Sequence, residues 1–108
     1  MAAGALHGIS VLELGELVSA PYCGKLFADY GADVVKIEPP RGDPSRTWGP
    51  YPGDVPHPEK SGLFFFLNTN KRGVTLDPAT PRGRDLARAL AAKADVVIEN
   101  QKPGTLAA

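Results

Sequence analysis

Two short apolar runs, set one helix apart, constrain this chain more than any other feature. The first, Ile9-Ser10-Val11-Leu12-Glu13-Leu14, is bracketed by Gly8 and Gly15, and the second, Asp33-Val34-Val35-Lys36-Ile37-Glu38, ends at Pro39-Pro40. Both are β-branched and of strand length, the pattern of buried strands. Between them Tyr22, Cys23, Leu26, Phe27 and Tyr30 recur at helical spacing, with Pro21 suited to a first turn and Gly31 to a stop. A strand, a helix of about ten residues and a strand make a βαβ unit, which implies parallel pairing.

A second unit follows after an interruption. Residues 39–58 carry seven prolines and little periodicity, a long Pro-rich loop in which Trp48 and Tyr51 are expected to anchor the chain by packing. Residues 61–67 hold three consecutive Phe, and residues 68–73 read as a polar turn. Residues 73–77 form a short strand pattern, and Thr80-Pro81 supplies an N-cap with a first-turn proline. The helix that follows runs to about Ala94. Leu86, Ala89, Leu90 and Lys93 fall on one side, and Arg82, Arg84, Asp85 and Arg88 mostly on the other. Residues 95–100 are the last clear strand, and residues 103–106 read as a helix start. The expected fold is α/β, a Rossmann-like open parallel sheet ordered β-α-β, Pro-rich loop, β-α-β. In such sheets ligands bind beyond the carboxyl ends of the strands. Those ends are Leu14-Gly15-Glu16, Ile37-Glu38-Pro39, Leu76-Asp77-Pro78 and Ile98-Glu99-Asn100.

Composition narrows the function classes. Twelve Lys and Arg offset twelve Asp and Glu, so no excess positive charge recommends a nucleic-acid backbone as partner. Cys23 is the one cysteine, which excludes an internal disulfide and fits a reducing compartment. The longest apolar run, Leu63 to Leu67, is far short of the roughly 20 residues of a membrane helix, and the N-terminus lacks a signal-peptide pattern. The expected setting is cytoplasmic, with no membrane and no nucleic acid. His7 and His57 are far apart and Cys23 has no partner thiol, so no metal site is expected. The turn Gly15 to Pro21 has one glycine where a dinucleotide fingerprint wants three, and no Walker loop occurs. Cys23 reads as a buried helix thiol, residues 68–72 as a solvated turn before an anion contact, and the Phe run as core or subunit interface. Glu16 reads equally as a solvated carboxylate or as a group facing the strand-end crevice. No catalytic centre is recognisable from the residues alone.

The run HGISVLELGELVSAPYCGKLFADYGADVVKIEPPRGDPSRTWGP, followed by NTNKRGVTLDPATPRGRDLARALAAKADVVIENQKPG, resembles the start of the class III CoA-transferases. Formyl-CoA transferase and carnitine CoA-transferase belong to that family, and α-methylacyl-CoA racemase shares its fold. The resemblance covers residues 6 to 106, and GADVVKIEPP, NKRGVTLD and ADVVIEN are its most specific parts. It implies that residues 1–108 are the N-terminal, CoA-binding portion of a homodimeric enzyme about four times longer. Such an enzyme moves CoA from an acyl-CoA thioester to a carboxylic acid acceptor through an aspartate nucleophile. That aspartate belongs to a later part of the family pattern, so no catalytic residue is assigned and the chain alone is expected to be inactive. An acyl-CoA racemase or a non-catalytic CoA-binding fragment are the alternatives.

The resemblance further implies CoA contacts at Val18 and Ser19, at Leu76, Asp77, Pro78 and Ala79, and at Asn100, Gln101 and Lys102, the same strand ends that the parallel-sheet rule selects. Relative to formyl-CoA transferase, Glu16 stands for a His, Val18 for a Gln, Pro39 for an Arg, Ala79 for a Lys and Ala108 for an Arg. The missing cations leave Lys71, Arg72 or Lys102 to meet the phosphates of CoA. A cut through a larger fold would also leave Phe64 to Phe66 exposed, which predicts dimers or aggregation.

Overall fold

The two apolar runs pair as their spacing demands. In the computed structural model, which describes residues 4–106, β1 (Ser10–Leu14) lies parallel to β2 (Asp33–Glu38), Val11 opposite Val34 and Glu13 opposite Lys36. Helix α1 (Ser19–Asp29) makes the crossover. The Pro-rich segment and a short helix α2 (Gly62–Leu67) then lead to β3 (Arg72–Thr75), parallel to β2. Helix α3 (Pro81–Ala92) carries the chain back across the sheet to β4 (Val96–Glu99), which pairs with the free side of β1. The strand order is β3-β2-β1-β4, so the chain reverses its direction of winding between β1 and β4. This is the expected α/β parallel sheet, with α2 as an additional element where the sequence showed only a Phe run.

Alternation along the strands gives the sheet two unlike faces. One face buries Val11 and Val34 against Ala28 and Ala32, with Phe27 half-buried beside them. The other buries Leu12, Leu14 and Ile37 against Leu76, Ala87, Leu90, Ala91 and Ala94. Each fully buried aliphatic side chain contributes about 1.5–3 kcal/mol. Helix α3 begins as expected: the Thr80 hydroxyl accepts from Gly83 N–H at 3.0 Å, with Pro81 in the first turn.

The helix faces differ from the sequence expectation. Helix α1 turns its small residues inward, burying Ala20, Pro21, Gly24 and Ala28, while Tyr22, Cys23, Leu26 and Tyr30 are exposed. Cys23 is therefore not a buried thiol. The physical reason is close approach: a Cβ at Gly24 would overlap the Glu13 carboxylate, so only a small-residue stripe lets α1 lie on this sheet. Helix α3 likewise meets the sheet through Ala87, Leu90 and Ala91, with Gly83 set close against the Asp77 carbonyl and Leu86 exposed.

The Pro-rich segment contains two short 3-10 turns, Pro44–Thr47 and Pro52–Asp54. Trp48, expected to anchor it, is 57% exposed. Arg46 anchors it instead. Its guanidinium makes two 2.8 Å hydrogen bonds to Glu38, donates to Pro58 C=O at 2.9 Å, and lies 3.7 Å from the centre of the Phe64 ring. Tyr51 does contribute as expected, its hydroxyl donating to Arg46 C=O at 3.0 Å. The Ser61 hydroxyl caps α2 by accepting from Phe64 N–H, and reaches the carbonyls of Ser45 (2.8 Å) and Trp48 (2.7 Å). Phe65 and Phe66 are exposed, as expected, whereas Phe64 is half-buried because the Arg46 guanidinium covers its ring. Residues 103–106 form a turn, with no helix among the described residues there.

Candidate functional site

The reversal between β1 and β4 opens a crevice at their carboxyl ends, and side chains of the second sheet face extend it beneath α3. The cleft has a volume of about 570 Å³. Leu14, Ile37, Val97, Ala87 and Ala91 form an apolar floor, and Glu16, Arg41, Asp77, Arg84, Arg88 and Gln101 stand at its polar rim. An apolar cavity of this size with a few convergent polar groups is the usual form of a small-molecule site.

The crevice is tied shut at its base. Asn100, just past β4, accepts from Glu16 N–H at 2.9 Å and donates to Glu16 C=O and Ser19 Oγ, both at 2.8 Å. Gln101 donates to Leu14 C=O at 2.8 Å. Gly15 is required here, since a Cβ would collide with Ala20 and press on the Asn100 side chain. Val18 is the N-cap of α1 and makes no side-chain cap.

Beneath the β1–α1 turn lies a cluster of buried charges. Lys36 Nζ is 2.9 Å from Glu13 Oε2, 2.8 Å from Asp43 Oδ2 and 3.1 Å from Gly15 C=O. Lys71 Nζ is 2.6 Å from Glu13 Oε1 and also donates to Pro21 C=O and Asn68 Oδ1. Asp43 reaches back to the turn, Oδ1 accepting from Leu17 N–H at 3.1 Å and from Ser45 N–H at 2.8 Å. Burial pushes the Asp43 carboxyl up, but the hydrogen bonds from Lys36 and Ser45 outweigh it and hold its pKa below the usual value. For Glu38 burial again acts upward and the Arg46 fork prevails, leaving its pKa lowered. Burial pulls Lys71 down, only partly offset by Glu13.

The expected contact residues divide into three groups. Asp77, Pro78, Ala79 and Gln101 line the cleft. Ser19 and Asn100 bond one another beside it, with Val18 exposed at the start of α1. Leu76 lies in the apolar layer under α3, and Lys102 is exposed outside the lining. Glu16 is resolved in favour of the cleft, half-buried and 3.3 Å from Arg41. Two of the expected phosphate partners are corrected. Lys71 is buried against Glu13 on the α1 side of the sheet, and Arg72 is engaged with Asp33 at 2.7 and 3.0 Å, both at the starts of their strands and so at the end of the sheet away from the cleft. Ala108 lies outside the described residues. Glu38, the position of a ribose-binding acid in a dinucleotide fold, is committed to Arg46. Arg41, Arg84 and Arg88 were missed by sequence reasoning. The signal that could have found the last two is the stripe Arg84, Ala87, Arg88, Ala91, which has the spacing of one helix face. No cluster of metal-ligating side chains occurs among the described residues.

Comparison with known proteins agrees with this geometry. The family model for CoA-transferase family III matches residues 6–108. Succinyl-CoA–D-citramalate CoA-transferase of Chloroflexus aurantiacus is 43% identical over 104 residues, covering 94% of this chain and 24% of that protein. Formyl-CoA:oxalate CoA-transferase of Afipia carboxidovorans is 42% identical, covering 96% of the chain and 24% of that protein. A crystal structure of a CaiB/BaiF family protein from Brucella suis superposes with a TM-score of 0.86 at 41% identity, over 98% of this chain and 28% of that one. The chain thus spans about a quarter of the length of the curated relatives it matches. By the family match, the relatives and the shared fold, this chain belongs to CoA-transferase family III.

Proposed function

We propose that this chain is the CoA-binding N-terminal portion of an enzyme that moves CoA from an acyl-CoA thioester to a carboxylic acid. The observation that carries the reading is the cleft at the β1/β4 reversal, whose rim includes Asp77, Pro78, Ala79 and Gln101. Val18, Ser19 and Asn100 stand beside it, and Leu76 and Lys102 extend the same two segments. The apolar floor suits the uncharged pantetheine arm of CoA, and the polar rim suits the phosphates of its nucleotide end. In this reading the chain's residues bind and orient the thioester substrate, and the covalent chemistry belongs to residues elsewhere in the enzyme. The chain by itself therefore binds CoA without turnover.

The working enzyme is proposed to be a cytoplasmic homodimer. Exposed Tyr22, Leu26 and Tyr30 on α1, with Phe65 and Phe66 on α2, support burial of this side in a larger assembly. Incubating the full-length enzyme with labelled acyl-CoA and a panel of carboxylic acids should give CoA exchange. Absence of exchange across the panel, with deuterium entering the α-carbon without an acceptor, would replace the transferase reading by the racemase one. Turnover by the purified 108-residue chain would overturn the assignment of catalysis to other residues.

A further inference from the structure

The cleft has four acidic and three basic side chains in its lining, yet its rim is cationic. Glu38 is neutralised by the Arg46 fork, Asp43 by Lys36, and Glu16 by Arg41. Asp77 turns its carboxylate onto the Ala79 N–H at 3.0 Å. Arg84 and Arg88 have no ion-pair partner among the described residues, although both line the cleft. They lie one helical turn apart on α3, with Cβ atoms at about 5–6 Å, the spacing at which two guanidinium groups can close on one anion. Between them Ala87, and one turn beyond them Ala91, leave the approach unobstructed. Two arginines with no ion pair, at the mouth of an apolar cavity, do little to hold the bare fold together.

We infer that Arg84 and Arg88 form a phosphate fork, which takes a phosphate of the nucleotide end of CoA while the apolar floor holds the uncharged arm. The inference rests on the CoA-binding reading above. It replaces Lys71 and Arg72 in that role, both of which are engaged on other elements. A guanidinium is suited to the task because its planar donors meet two phosphate oxygens at once and its charge persists at any working pH. Arg41, exposed and held only at 3.3 Å by Glu16, lines the same cleft.

Isothermal titration of the purified chain tests this with CoA, 3′-dephospho-CoA and pantetheine as probes. The variants are Arg84→Gln/Arg88→Gln and, as control, Arg82→Gln, an exposed arginine of the same helix outside the cleft lining. The double variant is expected to bind CoA at least fivefold more weakly, with pantetheine binding unchanged and the control at wild-type affinity. If dephospho-CoA binds the wild type more weakly than CoA and the double variant no longer distinguishes them, the fork reads the 3′-phosphate. Equal loss for both nucleotides assigns it to the pyrophosphate. A loss below fivefold, or an equal loss in Arg82→Gln, overturns the fork and leaves the CoA-binding reading intact. Failure of the wild-type chain to bind CoA at millimolar concentration overturns that reading itself. All three arginines are exposed, so thermal melts of the variants should coincide with wild type, and a melt displaced in the double variant alone would mark a structural role and overturn the fork.

Discussion

Replacing Lys36 by Met isolates the buried charge cluster from everything else the strand does. The methionine keeps the length of the stem between α1 and the sheet and removes only the ammonium. Lys36 serves two carboxylates, Glu13 at 2.9 Å and Asp43 at 2.8 Å, and the side chains of all three are 3% exposed or less. Glu13 keeps Lys71 after the substitution, whereas Asp43 keeps only N–H donors. Removing one partner of a buried ion pair destabilises by about 3–5 kcal/mol, because the remaining charge stays desolvated. Against a total of about 5–15 kcal/mol for a domain, that is enough to unfold a large fraction of molecules or to lower Tm by more than about 10 °C. Urea denaturation of wild type, Lys36→Met, Asp43→Asn and the double variant supplies a double-mutant cycle. The double variant should be less destabilised than the sum of the singles by about 1–3 kcal/mol, since a neutral amide in place of the Asp43 carboxylate no longer needs the cation. A Lys36→Met chain within about 1 kcal/mol of wild type, with strictly additive singles, would refute the reasoning.

Three further outcomes follow from the same contacts. Asp43 and Glu38 have folded pKa values below their unfolded ones, so their contribution is complete above about pH 5 and is lost as pH falls through the lowered values; acid melts should show Tm dropping below about pH 4, more shallowly in Asp43→Asn. Gly24→Ala should destabilise by about 1–3 kcal/mol in chemical denaturation, because its methyl group meets the buried Glu13 carboxylate; an unchanged midpoint would show that α1 can lift away freely. Thr80→Ala removes the hydroxyl that accepts from Gly83 N–H and should lower stability by about 1 kcal/mol, visible as faster amide exchange in the first turn of α3.

What was legible in the sequence is what local chemistry decides. The strands announced themselves through β-branched runs closed by glycine and proline, and α3 through Thr80-Pro81. The inward face of α1 was not legible, because its largest apolar residues lie outward. Tyr22, Leu26 and Tyr30 are exposed since Glu13 and Lys71 occupy the space beneath the helix and require Gly24 above them. That is a contact between residues far apart in sequence, and no period of apolar residues encodes it. The charged strand residues were a missed clue. Glu13 and Lys36 share the inward phase of Val11 and Val34 in their strands, and the register places them opposite one another. In the loop, the aromatic Trp48 drew attention while Arg46, eight residues after Glu38, made the anchor. At the site, three of the four strand ends do line the cleft, but the arginines of its rim stand on α3, on which the strand-end rule is silent.

The glycine-poor turn after β1 now has a physical explanation. A dinucleotide turn uses glycines so that its backbone can enter the left-handed region and approach a phosphate closely. Here Leu17 occupies that region, with φ of 64°, despite carrying a side chain. A conformation of this kind costs about 1–3 kcal/mol and persists only where the surroundings over-determine it. They do so from two directions. Asn100 fixes Glu16 on the β4 side, and Asp43 holds the Leu17 N–H from below, itself held by buried Lys36. The buried charges and the cleft are therefore parts of one device. Lys36 on one face of the sheet fixes Asp43, and Asp43 fixes the turn that leads to Val18 and Ser19 beside the mouth of the cleft. Tertiary hydrogen bonds here take the place of the conformational freedom that a glycine-rich fingerprint would have provided.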